Sequence, residues 1–405
     1  MKWKTAILSD ISTNIQTGPF GSQLHQSDYS IEGTPVVMPK DLVNGHISEA
    51  TIARISDAHI ERLNRHKIEI GDILYSRRGD VGRCAFATEK EAGWLCGTGC
   101  LRVSTDVSKA NPKFVFYQLQ KPDTIGWVEK HAVGATMLNL NTAILSRVPI
   151  EIPSLNTQNR IVDILSAYDN LIENNQKQIK LLEEAAQRLY KEWFVDLRFP
   201  GYEITPVVDG VPEGWELCRL EDVIEFNPKI PLSKERLKQS VPMSALSTSS
   251  MTLDTEEFAA TFSNSGSKFQ NGDTLLARIT PCLENGKTAF VAGVESDEGA
   301  VGSTEFIVMR SKGINPYMVY LLARNDSFRQ SAINSMTGSD GRQRAQADKL
   351  KALPYLKPAD QIMMLFARYV EPMFIQIQKK NEQNVRLRQA RDRLLPKLMS
   401  GEVEV

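Results

Sequence analysis

The second half of this chain repeats the first. Trp3 followed by Leu8-Ser9-Asp10-Ile11 recurs as Trp215 followed by Leu220-Glu221-Asp222-Val223, and Gly71-Asp72-Ile73-Leu74-Tyr75-Ser76-Arg77 recurs as Gly272-Asp273-Thr274-Leu275-Leu276-Ala277-Arg278. Asn111-Pro112, leading into FVFYQLQ, returns as Asn315-Pro316 leading into MVYLLAR, and Leu145, Pro149 and Pro153 return as Leu350, Pro354 and Pro358. Order is kept, and the spacing between copies drifts by only a few residues, as loop insertions would make it. Self-similarity on this scale means that a whole folding unit has been duplicated. At about 150 residues per domain, a chain of 405 residues has room for two such units and something between them.

After Pro153 and again after Pro358 the pattern turns helical. Ile161, Leu165, Tyr168, Ile172, Asn175, Ile179, Leu182, Ala186, Leu189 and Trp193 alternate steps of four and three, a heptad seam. The spacing predicts one helix roughly 50 Å long, at about 1.5 Å per residue. Phe366, Val370, Met373, Ile377, Lys380, Asn384, Leu387, Arg391, Leu394 and Leu398 form a matching, more polar seam, and the two helices are expected to pack on each other. Apolar seam residues read most simply as the core of that pairing, while Asn175 and Lys380 cost stability and read as register-fixing positions. Within the globular parts, strand signals (VPIEIP, TEFIVMR, GDILYSR) mix with short helical runs, which predicts an α+β fold. The expected division is a unit over 1–153, a long helix over 154–198, a Pro/Gly-rich linker over 199–212, a second unit over 213–357 and a second long helix over 358–405.

Composition narrows the function. With 48 Lys and Arg against 49 Asp and Glu the net charge is −1, so a surface for a polyanion has to be local. One local excess lies in the second helix, where Lys379, Lys380, Arg386, Arg388, Arg391, Arg393 and Lys397 outnumber Glu382 and Asp392; it reads equally as a DNA or partner contact and as a solvated face. Five cysteines, an odd number spread along the chain, argue against a disulfide framework and for a reducing compartment, the cytoplasm by default. The opening MKWKTAILSDIST lacks the apolar core of a signal peptide, and no stretch approaches 18 uncharged apolar residues, so neither export nor membrane spanning is expected.

Catalytic motifs are not found. Glu284-Asn285-Gly286-Lys287-Thr288 closes like a phosphate loop, but Pro281 stands where the opening Gly belongs, so it reads as a surface turn. Cys96-Gly97-Thr98-Gly99-Cys100 lacks metal-ligand spacing, and His25, His46, His59, His66 and His131 form no helical pair. A methyl-donor fold and its Asn/Asp-Pro-Pro-aromatic loop are missing too; Asn227-Pro228-Lys229 is the nearest fragment. No metal, no bound cofactor and no catalysis are expected of this chain.

The repeat with its two heptad helices, together with EEAAQRLYKEWFVD (Glu183–Asp196), resembles the specificity subunit of type I restriction-modification systems. VPEGWEL (Val211–Leu217) is similar to the start of that family's target recognition domains, LLPKLMSGEV (Leu394–Val403) to its carboxyl-terminal close, and TGPFGS (Thr17–Ser22) to a loop of many of its recognition domains. The resemblance implies a non-catalytic DNA-reading subunit. Two target recognition domains, related by a pseudo-two-fold repeat, each read half of a bipartite, asymmetric site. An antiparallel coiled coil sets their separation and docks methylation subunits, two by symmetry, that carry the adenine-methylating chemistry and S-adenosylmethionine. Restriction subunits add ATP- and Mg-dependent translocation and cleavage. Two other readings stay open at this point: a self-contained DNA methyltransferase or nuclease, and a coiled-coil adaptor that binds no DNA.

For double-stranded DNA, polar and basic residues on turns at matching places in both halves are the candidates. Arg77 and Arg78 follow one Gly-Asp strand and Arg278 follows its copy; an Arg there can bridge guanine O6 and N7, hold a phosphate, or sit in a surface ion pair. Thr17, Gly18, Phe20, Gly21 and Ser22 match the turn holding Asn227 and Lys229, where glycine permits close approach to a sugar-phosphate strand. The third matched pair is Thr136, Asn139 and Asn141 with Ser339, Arg342, Gln343 and Arg344, whose amides suit adenine and whose guanidiniums suit phosphate. Lys40 and Lys287 complete the set.

Overall fold

Gly71 and Gly272, which open the repeated Gly-Asp pair, have φ of +87° and +91°, a left-handed conformation in which a side chain is strained. The aspartate that follows locks the turn. Asp72 accepts the Glu69 backbone N–H at 2.8 Å and the Ser104 hydroxyl at 2.6 Å; Asp273 accepts the Gln270 N–H at 2.8 Å and a two-pronged contact from Arg310 at 2.7 and 2.8 Å. Both aspartates are buried, and each turn feeds a strand buried along its whole length, Ile73–Ser76 and Thr274–Ala277. The other repeated signature is a helix start. Asn111 and Asn315 accept backbone N–H groups of the first turns of Pro112–Leu119 and Pro316–Arg324, with the proline at a position that has no N–H to satisfy.

The computed structural model describes residues 3–134, 137–339 and 341–405. They form two compact units, Met1–Asn170 with Leu387–Val405, and Leu171–Arg386. In the first, Lys4–Ile7 pairs with Pro149–Ile152; one four-stranded sheet has the order Ser12–Thr17, Cys100–Thr105, Ile73–Ser76, Cys84–Phe86, and another Leu95–Cys96, Thr34–Val37, Ala53–Ile55, Tyr29–Ser30. In the second, Glu216–Arg219 pairs with Pro354–Lys357; one sheet has the order Ile224–Phe226, Phe306–Ser311, Thr274–Ala277, Thr288–Phe290, and the other Ala259–Thr261, Lys238–Val241, Ala300–Gly302, Ser267–Phe269. The first sheets correspond strand for strand. The second sheets share a parallel pair, Val37 beside Cys96 and Val241 beside Gly302, and differ in their edge strands. Each unit is thus the same mixed α/β fold.

The long helices are Leu155–Tyr190, extended by one π turn over Lys191–Val195, and Asp360–Ser400. Each contributes residues to both units. In the first unit Ile161 and Leu165 share a core with Leu395, Leu398 and Met399, and Asp169 meets Arg391 at 2.8 Å. In the second, Asn175 meets Asn384 at 2.9 Å, and Trp193 packs on Phe366 with ring centroids 5.6 Å apart. Both sets of contacts run antiparallel. The seam departs from a strict heptad after Ile179: Glu183, Ala186, Tyr190 and Trp193 are buried, leaving Leu182 and Leu189 half-buried. Phe374 and Leu395 likewise take the buried places expected for Met373 and Leu394, and Tyr168 and Leu387 are half-buried. A straight helix drifts from a seven-residue repeat, and a step of four where three is due restores the phase.

The Pro/Gly-rich stretch from 199 to 212 is folded rather than slack. Phe199 packs against Trp215 with ring centroids 4.9 Å apart, and Val207–Val208 pairs with Val211–Pro212. Among the described residues no helix is long and apolar enough to cross a membrane, and no group of His, Cys, Asp and Glu is arranged to hold a metal ion. Cys84 and Cys96 are fully buried, which pushes each thiol up to about 12; such thiols are packing groups and poor nucleophiles.

Candidate nucleic-acid interface

Three of the matched loops meet in each unit, with an arginine between them. Arg77 donates its backbone N–H to the Gly99 carbonyl at 2.8 Å and accepts the Leu140 N–H at 2.8 Å, and its guanidinium lies 5.9 Å from the centre of the exposed Phe20 ring. Arg278 repeats the backbone pattern, donating to Glu305 at 2.9 Å and accepting from Ala345 at 2.8 Å. Beside the arginines, Asn139 bridges Arg78 and Val133, and Arg344 bridges Ile279 and Thr337. Phe20, residues 77–78, Val133 and residues 139–140, distant in sequence, are therefore one site, and so are residues 227–230, 278–279, Thr337 and residues 344–345.

What the two arginines lack is informative. Nε of Arg77 and Nε of Arg278 are buried without a hydrogen-bond partner, and neither guanidinium has an ion pair among the described residues. With Nε buried, it is the terminal guanidinium nitrogens, on side chains that are only half-buried, that can meet an acceptor from outside the chain. Guanine O6 and N7 or a phosphate oxygen would supply it. Arg278 lines a cleft of about 690 Å³ together with Asn227, Lys229, Ile230, Lys268 and Phe306. Glu305 feels the charge of Arg278, but its hydrogen bonds go to Arg344, which forks onto both its oxygens at 2.7 and 2.9 Å and holds the Glu305 carboxyl below its usual range.

That fork engages one expected reader: Arg344, whose side chain is 41% exposed, is ion-paired with Glu305. Other expected readers are also committed. The Asn141 side chain caps helix Thr142–Ser146 by accepting the Ile144 N–H at 2.9 Å, and Asn227, at φ +52°, extends a strand ladder by accepting the Val308 N–H at 3.0 Å. Lys40 donates to the Thr51 carbonyl at 2.7 Å and Lys287 to the Met243 carbonyl at 3.0 Å. Gly18 is buried: a Cβ there would fall 2.0 Å from the Gly97 carbonyl oxygen, so its smallness serves packing. Thr17 ends its strand opposite Leu101. Gly21, Arg78, Lys229, Ser339 and Arg342 are exposed, whereas Asn139 and Gln343 are half-buried. Thr136 lies outside the described residues, as does the side chain of Ser22.

Sequence reasoning missed Lys268 and Glu305. Lys268 stands in SKFQNGD where Lys67 stands in HKIEIGD, so the repeat offered a signal for it; nothing in the sequence marks Glu305 as the partner of Arg344.

Residues 2–184 match the family model of the type I restriction modification DNA specificity domain. The chain is 25% identical over 403 residues to the type I restriction enzyme MjaIX specificity subunit of Methanocaldococcus jannaschii, covering 92% of this chain and 87% of that one. It is 22% identical to the HindI specificity subunit of Haemophilus influenzae over 99% of both chains, and 36% identical to the EcoAI specificity subunit of Escherichia coli over 33% of this chain and 23% of the relative. The crystal structure of a type I restriction-modification S subunit from M. genitalium superposes with a TM-score of 0.57 at 15% identity, covering 98% of this chain and 96% of that one, which shows a shared fold.

Proposed function

We propose, from the premise that this chain belongs to the specificity subunits of type I restriction-modification systems, that its two units each read one half of a bipartite, asymmetric DNA site. The subunit itself is non-catalytic. It assembles with methylation and restriction subunits; we assign two methylation subunits, matching the two copies of the fold, with S-adenosylmethionine and ATP with Mg bound on the partners, all in the cytoplasm. The observation that carries the reading is the recurrence, in both copies, of an arginine with an unpaired buried Nε where three loops meet. A single small reader covers only a few base pairs in one groove, and a duplicated one doubles the site. Arg77, Arg278 and Arg342 are the residues we assign to DNA contact, supported by exposed Arg78 and Lys229. Relatives that span the whole chain carry the specificity-subunit name, which disfavours a self-contained methyltransferase or a DNA-free adaptor.

Long-read methylome sequencing of the source cell, with and without the gene, tests this. The expected result is one two-part adenine-methylated motif that disappears with the gene. Methylation unchanged by the deletion, while the partner subunits are still expressed, would overturn the reading.

A further inference from the structure

The two units carry the same loops with unequal charge. The strand registers place Lys229 where the first unit has Gly18, and Lys268 where it has Lys67. Gly18 offers no side chain, and the Lys67 ammonium lies 3.6 Å from the Glu61 carboxylate. In the second unit Lys229 is exposed and has no ion pair among the described residues, and Lys268 donates to the neutral Ile230 carbonyl at 3.2 Å, which leaves its charge uncompensated. Together with Arg278 they put three positive charges on one cleft, and no Asp or Glu lines it. Phe306 and Val308 form apolar wall, which strengthens the field felt by an anion held there.

We propose that this cleft is a clamp for a DNA backbone phosphate, so that the second unit supplies a larger share of the salt-dependent binding than the first. The assignment rests on the DNA-reading function proposed above. Lysine suits the task as a compact point charge that binds phosphate without demanding a fixed orientation, whereas base reading favours the fork of an arginine. Sequence discrimination should accordingly be indifferent to the two lysines.

The test is a salt titration of binding by the full-length chain with its methylation subunits, on a duplex carrying the methylated motif and on a random-sequence duplex. For K229Q/K268Q the slope of log affinity against log salt is expected to become shallower by about 1.8, at about 0.9 for each phosphate no longer neutralised. Affinity should fall alike on both duplexes, and K67Q should leave the slope unchanged. If the double variant melts early, K229Q alone, at an exposed position, is expected to remove about 0.9. An unchanged slope in variants that still bind the motif would overturn the clamp while leaving the DNA reading intact. A lost preference for the motif would overturn the phosphate assignment in favour of base contact. Failure of the unaltered complex to bind either duplex would instead sink the DNA reading itself.

Discussion

Tyr320 donates its hydroxyl hydrogen to Glu183 at 2.5 Å, in the buried core of the second unit. Glu183 also accepts the Met251 backbone N–H at 2.9 Å, so one carboxylate of the long helix ties down both a helix and a loop of the globular part. The first unit has a counterpart, with Tyr117 donating to Asp169 at 2.5 Å and Arg391 completing the contact. Tyr320→Phe should therefore destabilise the chain by about 1 to 3 kcal/mol, the cost of removing one partner of a buried hydrogen bond. Chemical denaturation of the full chain measures it.

Burial pushes the Glu183 carboxyl up from its ordinary value of 4.5, more than its hydrogen bonds pull it down. The folded chain then holds this proton more tightly than the unfolded chain does. Stability contributed by the site is complete below the ordinary value and is lost as pH rises through the raised one. Denaturation curves across the acidic range should show that loss in the parent and not in Glu183→Gln. An identical pH slope in both would refute the burial argument.

Asn175 and Asn384 face each other within the helix pair, and Asn175 also donates to Gln383 at 3.0 Å. Asn384→Leu alone should cost about 1 to 3 kcal/mol by leaving one of the two Asn175 amide hydrogens without its acceptor. Replacing both with Leu should recover most of that and relax the register, as polar seam residues specify alignment while lowering stability. Melting curves check the first statement, and a methylated motif with more than one gap length checks the second.

Arg77→Ala, Arg278→Ala and Arg342→Ala should each cost about 1 to 3 kcal/mol of binding where the side chain reads a base, and relax one position of the motif. Unchanged affinity and motif in all three would remove these residues from the reading site.

Inserting one heptad into each long helix should widen the gap between the half-sites by about 10 Å, at about 1.5 Å per residue, with both half-sites unchanged. Methylome sequencing of cells carrying that variant gives the gap directly.

The duplication was readable because its signatures are local physics: an aspartate locking a left-handed glycine turn, and an asparagine capping a helix that begins with proline. The first heptads of the seam were readable for the same reason. Its later course was not, because a heptad template ranks Leu182 above Glu183, and the groups that make a buried carboxylate tolerable there include the Tyr320 hydroxyl and the Met251 N–H, 137 and 68 residues away. The partner of Arg344 was equally illegible. A basic residue on a turn looks available until Glu305, brought to it by folding, takes both prongs.

The loops around Arg77 and Arg278 are fastened to their neighbours by amide-to-carbonyl bonds, Leu140 to Arg77 and Ala345 to Arg278. Fastenings of this kind are blind to which side chains the loop displays. The side chains on these loops can therefore change without re-engineering the frame that carries them.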